Sequence, residues 1–242
     1  MLIINDQEID LGIYYSGEIY LNSIKINEQE NVIKFYIEPK SDNVLKLIFV
    51  IQKMKQIYPN TKITLYMDYV PYSREDKDTN HMELFSTFLE LLNVQKIVTT
   101  PDLHCRNEQL EKHNIVIEGL PYWKTVSLPE DVIYILPDNG SKVRYEKYLD
   151  DVEHITCSKK RTDGEVVGLV IDEDYNLKEN TTYVVIDDLC SGGATFKNVA
   201  QLLPKKAKKI LIVAYMESSA YNSGFNKENL SLYSKVHFGK LI

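Results

Sequence analysis

A chain of 242 residues, 44% hydrophobic and 26% charged, has the make-up of one large globular domain or two compact ones. Its net charge of −7 argues against a general nucleic-acid-binding face, and three cysteines, Cys105, Cys157 and Cys190, give no disulfide framework. No apolar run approaches the ~20 residues that span a bilayer, and Met1-Leu-Ile-Ile-Asn-Asp lacks the basic start and apolar stretch of a signal peptide. The expected setting is the cytoplasm, with no membrane partner.

Short apolar runs alternate with helical patterns, which predicts βαβ units and mostly parallel sheets. Val32-Ile-Lys-Phe-Tyr-Ile37 reads as a strand and Asn43 to Gln56 as an amphipathic helix capped by Ser41 or Asp42. Lys62-Ile-Thr-Leu-Tyr-Met67 is a strand leading into Asp68. His81 to Leu92 reads as a helix, and Lys96-Ile-Val-Thr-Thr100 as a strand delivering Asp102-Leu-His104. Pro121-Tyr-Trp-Lys-Thr-Val-Ser-Leu-Pro129 looks like a connector, which divides the chain into domains 1–122 and 123–242. Beyond it, Val132-Ile-Tyr-Ile-Leu136 leads into Pro137-Asp138, Val143 to Asp151 reads as a helix, and His154-Ile-Thr-Cys157 leads into Lys159-Lys-Arg161. Thr182 to Ile186, Phe196 to Leu203 and Lys209 to Ala214 complete the pattern as strand, helix and strand.

The most informative stretch is Tyr183-Val-Val-Ile-Asp-Asp-Leu-Cys-Ser-Gly-Gly-Ala-Thr195. A buried strand is expected to end on the carboxylates Asp187 and Asp188, followed by a small-residue turn that opens a helix. Gly192, Gly193 and Ala194 let the backbone approach an anion. Amides at a helix start carry partial positive charge, and Ser191 and Thr195 add hydroxyls. A carboxylate pair at a strand's C-terminal edge suits ribose hydroxyls or a magnesium ion with its waters. The stretch reads as a cradle for a phosphorylated sugar.

With these segments the chain resembles the ribose-phosphate diphosphokinases (PRPP synthetases) of the type I phosphoribosyltransferase fold. Their sugar-phosphate loop also runs hydrophobic strand, Asp-Asp and Thr/Gly-rich turn. Ser41-Asp-Asn resembles the Asn-Asp-Asn that opens an early helix of that family. Asp68-Tyr-Val-Pro-Tyr-Ser-Arg-Glu-Asp-Lys77 resembles its nucleotide segment. Asp102-Leu-His104, Pro137-Asp-Asn-Gly140 and Lys159-Lys-Arg161 match Asp-Leu-His, Pro-Asp-x-Gly and Lys-Arg-Arg in the same order. The resemblance covers nearly the whole chain and implies two tandem phosphoribosyltransferase-like (Rossmann-like) α/β domains.

It also implies roles. Lys159 and Arg161 correspond to catalytic cations at the start of a mobile flap, and Thr162-Asp-Gly-Glu165 reads as a flexible segment after a strand end. His104 corresponds to a group at the metal and triphosphate, and Asp138 to a second metal-facing carboxylate, the metal being Mg²⁺. Arg74, Asp76 and Lys77 fall in the ATP segment, where the Arg packs on adenine, a contact with a basis in cation–π attraction. Tyr14 and Glu18 fall in a segment that reaches a neighbouring subunit's adenine site, which implies a homo-oligomer, at least a dimer. Asp187 and Asp188 correspond to the ribose site, and Ser191, Gly192, Gly193, Ala194 and Thr195 to the 5′-phosphate site. His81, His113, His154 and His237 have no such context.

Two departures stand out. The chain is shorter than the family's usual length and is expected to lack its closing strand and C-terminal helix. Ser191-Gly-Gly-Ala-Thr195 replaces Asp-Thr-x-Gly-Thr, which makes the loop more open and less negative. The expected reaction is Mg²⁺-dependent transfer of pyrophosphate from ATP to the anomeric hydroxyl of ribose 5-phosphate. The rival acceptor is ADP-ribose, used by a branch of these enzymes often encoded by phages in NAD salvage. Base transfer by a phosphoribosyltransferase, and a non-catalytic regulatory subunit, are the other readings.

Overall fold

In the computed structural model the described residues are 2–16, 18–21, 25–36, 41–74, 87–105, 113–162, 165–171, 175–218 and 225–242. They form two units, Met1–Gly119 and Leu120–Ile242, each built on its own six-stranded, mostly parallel sheet.

The first unit contains β1 (Leu2–Ile4), β2 (Gln7–Glu8), a separate hairpin of β3 (Leu11–Ile13) and β4 (Ile19–Leu21), β5 (Glu30–Phe35), helix α1 (Ser41–Ile57), β6 (Lys62–Met67), β7 (Lys96–Thr99) and β8 (Ile115–Ile117). Its sheet runs β2-β1-β5-β6-β7-β8, with β5 to β8 parallel. Alternate side chains of β5 and β6, Ile33 and Phe35 with Ile63, Leu65 and Met67, face inward. Helix α1 covers them with Val44, Leu47, Ile51 and Met54, spaced to share one helical stripe. Each such buried side chain contributes roughly 1.5–3 kcal/mol against exposure. The helix starts earlier than the periodicity predicts. Ser41 and Asp42 lie inside it rather than capping it, and Asp42 pairs with Lys46 at 3.6 Å one turn on. Of the expected 81–92 helix, residues 87–92 are helical and the remainder lies outside the described residues.

The second unit opens on one 3-10 turn, Tyr122–Thr125, where a plain connector was expected; the apolar indole of Trp123 is buried there. Then come β9 (Val132–Leu136), α2 (Asn139–Tyr145), β10 (His154–Thr162), β11 (Glu165–Ile171), β12 (Thr182–Cys190), α3 (Ala194–Leu202), β13 (Lys208–Met216), α4 (Phe225–Asn229) and β14 (Lys235–Leu241). The sheet order is β11-β10-β9-β12-β13-β14, all parallel except β11. Alternation along β12 splits the core. Tyr183 and Val185 face Phe196, Val199 and Ala200 of α3, whereas Val184 and Ile186 face Trp123, Tyr145 and Leu149.

Three expectations need correction here. The helix expected over Val143–Asp151 is α2 followed by the 3-10 turn Glu146–Tyr148, because a capping box between Asp138 and Ser141 starts the helix at Asn139. β12 does not end at Ile186; β13 remains its partner as far as Cys190 opposite Met216. The basic run ends a strand as read, but β10 carries on to Thr162 and Glu165–Ile171 returns antiparallel beside it, with a register shift between Lys160 and Arg161. Lys235–Leu241, near the C-terminus, forms a parallel strand at the sheet edge. All three cysteines are buried. No described helix is long and apolar enough to cross a membrane.

Candidate functional site

The chain leaves β9 toward β10 on one side, whereas β12 leads to β13 on the other. The order of strands therefore reverses between β9 and β12, and open α/β sheets bind ligands beyond the strand C-termini at such a point. β9 pairs with β12 only up to Ile135 opposite Val185. Past that point β12 carries Asp187 and Asp188, and β9 hands over to Asp138 at the start of α2.

Helix α2 supplies the counter-charge. Arg144 Nη1 donates to Asp188 Oδ1 at 2.9 Å and to Asp187 Oδ1 at 3.1 Å, and its side chain is only 8% exposed. The Asp188 amide donates to Asp187 Oδ1 at 2.9 Å, which fixes the carboxyl group against its own backbone. Burial and the neighbouring Asp188 charge push Asp187 well above the ordinary carboxylate range, despite Arg144. Burial opposes the Arg144 charge, yet the two carboxylates raise its pKa further. The two acids thus share the Arg144 guanidinium. Asp188 is buried and Asp187 half-buried, so Asp187 is the member open to a ligand.

The loop after β12 is held from two sides. Ser191 Oγ donates to Glu217 Oε2 at 2.6 Å, and the Glu217 amide donates to the Cys190 carbonyl at 2.9 Å. The buried Asn229 of α4 donates from Nδ2 to the Gly192 carbonyl at 2.6 Å. Gly193 has φ +79° and occupies the N-cap position of α3. That left-handed conformation costs a residue with a Cβ about 1–2 kcal/mol, which explains a glycine here. Having no side chain, Gly193 caps none of the first-turn amides, which stay available to an anion. Ala194 and Thr195 are exposed on that first turn. Burial, then the charges of Asp187 and Glu217, push the Cys190 thiol up to about 12, so it stays a neutral filler beneath the loop.

Asp138 spends one carboxylate oxygen on the helix: Oδ1 accepts from the Ser141 amide at 3.0 Å while Ser141 Oγ sits 3.2 Å from the Asp138 amide. Its charge still acts on Arg144 and Asp187. The backbone of Lys159 and Arg161 lies in the β10–β11 hairpin, opposite Leu169 and Val166; their side chains lie outside the described set.

In the first unit, two adjacent strands deliver the predicted nucleotide residues. β6 ends before Asp68, whose carbonyl accepts from Thr99 Oγ1 of β7 at 3.4 Å. From there the chain runs through Tyr72, at φ +63° and edge-on to Phe88 at 5.3 Å, to the exposed Arg74. β7 leads to the buried Asp102 and half-buried His104. Asp76 and Lys77 lie outside the described residues. Tyr14 and Glu18 flank the β3–β4 turn, where the Tyr14 amide donates to the Glu18 carbonyl at 2.8 Å and Ser16 Oγ to Glu18 Oε2 at 2.9 Å.

Arg144, Glu217 and Asn229 are site residues that the sequence reading missed. Asp138 with Ser141 three residues later is a helix-start pattern that would have placed Arg144 on a helix beside the strand. Glu217 and Asn229 reach the loop only through the tertiary fold.

No family model matches the chain. It is 26% identical over 239 residues to a ribose-phosphate pyrophosphokinase of Mycoplasmopsis pulmonis (strain UAB CTIP), covering 90% of this chain and 71% of the relative. A second ribose-phosphate pyrophosphokinase, of Clostridium tetani (strain Massachusetts / E88), is 27% identical over 221 residues, covering 83% and 67%. The chain spans roughly two thirds of the length of such relatives, 65% for that of Bacillus subtilis (strain 168). Among solved structures, phosphoribosylpyrophosphate synthetase from Mycobacterium smegmatis superposes with a TM-score of 0.62 at 16% identity, covering 88% of this chain and 74% of that one. The fold is therefore that of a PRPP synthetase, with tandem phosphoribosyltransferase-like domains.

Proposed function

We propose that the chain transfers the pyrophosphoryl group of ATP to the anomeric hydroxyl of a phosphorylated ribose. The anomeric oxygen attacks the β-phosphorus, its proton is lost, and the bond from that phosphorus to the α,β-bridging oxygen breaks, releasing AMP. The observation that carries the reading is the Asp187–Asp188–Arg144 group beside an uncapped helix N-terminus at the strand-order switch. Similarity to ribose-phosphate pyrophosphokinases along most of the chain supports the reaction class.

In this reading Asp187 and Asp188 hold the ribose hydroxyls, and Ser191 to Thr195 surround the 5′-phosphate. Arg74, with Asp76 and Lys77, holds the nucleotide, aided by Tyr14 and Glu18 from a neighbouring copy in a homo-oligomer. Lys159 and Arg161 balance charge on the transferring phosphates, and His104 stands at the triphosphate. The donor set fits Mg²⁺: hard carboxylate oxygens, one of them on the half-buried Asp187. Mg²⁺ commonly takes one or two carboxylates plus substrate phosphates. When bound, Mg²⁺ would neutralise phosphate charge; Asp187 and Asp138 would hold it.

Ribose 5-phosphate is the default acceptor. ADP-ribose is the second reading, favoured by the engagement of the Ser191 hydroxyl with Glu217. The test is to supply Mg²⁺ and ATP with either acceptor and identify products by mass spectrometry. AMP and a ribosyl diphosphate are expected. ADP, or no acceptor-dependent turnover, would refute the assignment.

A further inference from the structure

We infer that the turn 71–74 has a second position, in which a nucleotide held at Arg74 takes up the hydroxyl of Ser73. This rests on the reading of Arg74 as part of the nucleotide segment, and adds a contact that the ligand-free turn keeps hidden.

The segment starts from a fixed point, because the Asp68 carbonyl accepts from Thr99 Oγ1 of β7 at 3.4 Å. Val70 and Pro71 are buried. Tyr72 then takes φ +63°, a left-handed conformation that a bulky side chain rarely adopts. Its ring stands edge-on to Phe88 at 5.3 Å and packs against the core of the first unit, which holds the backbone there. Ser73 follows at 1% exposure, and its amide reaches the Val70 carbonyl at 3.3 Å. The Ser73 hydroxyl is buried and has no hydrogen-bond partner among the described residues. Such a group gives up its bonds to water and receives nothing in return, so native interiors contain few of them. Arg74, the next residue, is exposed.

Two neighbouring costs, a left-handed aromatic residue and an unpaired buried hydroxyl, thus stand directly before Arg74. Alanine would fill the place of Ser73 without the second cost, so stability alone does not account for a serine. Rotation of Tyr72 to negative φ would relieve both. The backbone would return to an ordinary region, and the peptide carrying Ser73 would swing relative to the core. A nucleotide offers ring nitrogens, ribose hydroxyls and phosphate oxygens, any of which can pair with a hydroxyl. Bound nucleotide then favours the second position by the contact that only this position makes.

The probe is α,β-methylene ATP, in which carbon replaces the oxygen at which the proposed reaction breaks. It is titrated calorimetrically into the full chain with Mg²⁺, and ligand-free melting is followed in parallel. Ser73→Ala removes the hydroxyl and little else. The ligand-free variant should melt about 2–4 °C higher than wild type, while its affinity for the analogue falls about five- to tenfold. These opposite signs separate a ligand contact from a structural brace, whose loss would lower both. An affinity within about twofold of wild type overturns the inference alone, since the hydroxyl is then inert. So does a variant that melts no higher than wild type, since the hydroxyl then costs the ligand-free chain nothing. Failure of wild type to bind the analogue overturns the reading of the nucleotide segment together with the inference.

Discussion

Arg144 on α2 donates to Asp188 on β12 at 2.9 Å, and the same nitrogen reaches Asp187 at 3.1 Å. One buried cation therefore sets the geometry of both acids at the switch point. Removing one partner from a buried charge cluster typically costs about 3–5 kcal/mol, because the others stay buried and unpaired. Arg144→Met is expected to lower the urea midpoint by the corresponding amount at neutral pH. Millimolar Mg²⁺ should raise its melting temperature more than that of wild type, because the acids then lack the Arg144 charge. A variant as stable as wild type would refute the role given to Arg144.

Asp187 should behave in the opposite sense. Its folded-state pKa lies above the ordinary carboxylate value of about 4, so ionisation costs stability at neutral pH. That cost lifts as pH falls through the raised value. Asp187→Asn retains an oxygen for the Asp188 amide and for Arg144 while losing the charge. It should melt about 2–4 °C higher than wild type at neutral pH, the shift that ~1 kcal/mol gives in a chain of this size. The difference should shrink on acidification, and turnover should be lost. A lower melting temperature at neutral pH would contradict the crowding of the two acids.

Gly193→Ala tests the loop. The left-handed backbone at φ +79° should make the variant less stable by about 1–2 kcal/mol. Ribose-phosphate affinity should fall at least as much, since the α3 amides turn away from the ligand. Unchanged affinity in a folded variant would move the phosphate site elsewhere.

Lys159→Ala tests the proposed cation. Loss of one transition-state donor commonly costs about 10²–10³ in turnover. ATP affinity, measured by equilibrium binding, should remain within about threefold. Full activity would exclude Lys159 from the chemistry.

Much of this architecture was legible because parallel strands write themselves as short apolar runs. Lys62–Met67 and Val132–Leu136 occur as read, since both faces of these strands carry apolar side chains or lie against a neighbour. Strand ends were less legible where polar residues continue a ladder. Asp187 and Asp188 looked like a terminus, but backbone pairing to β13 is indifferent to side-chain charge. Lys159-Lys-Arg161 ends a strand as read, but the strand that returns beside it was missed. The β-branched run Val166-Val-Gly-Leu-Val-Ile171 was the available sign of a returning strand. Asp187, Asp188 and Gly193 were recognisable because their chemistry is contiguous. The Glu217–Ser191 contact spans 26 residues and depends on the β12–β13 register, so no local pattern announces it.

The most direct test of the central claim follows the β-phosphorus of ATP. With ATP labelled at that atom, Mg²⁺ and a phosphorylated ribose, the label should move to the anomeric carbon's diphosphate while unlabelled AMP accumulates. Label retained in ADP, or released as inorganic pyrophosphate without a ribosyl diphosphate, would contradict pyrophosphoryl transfer.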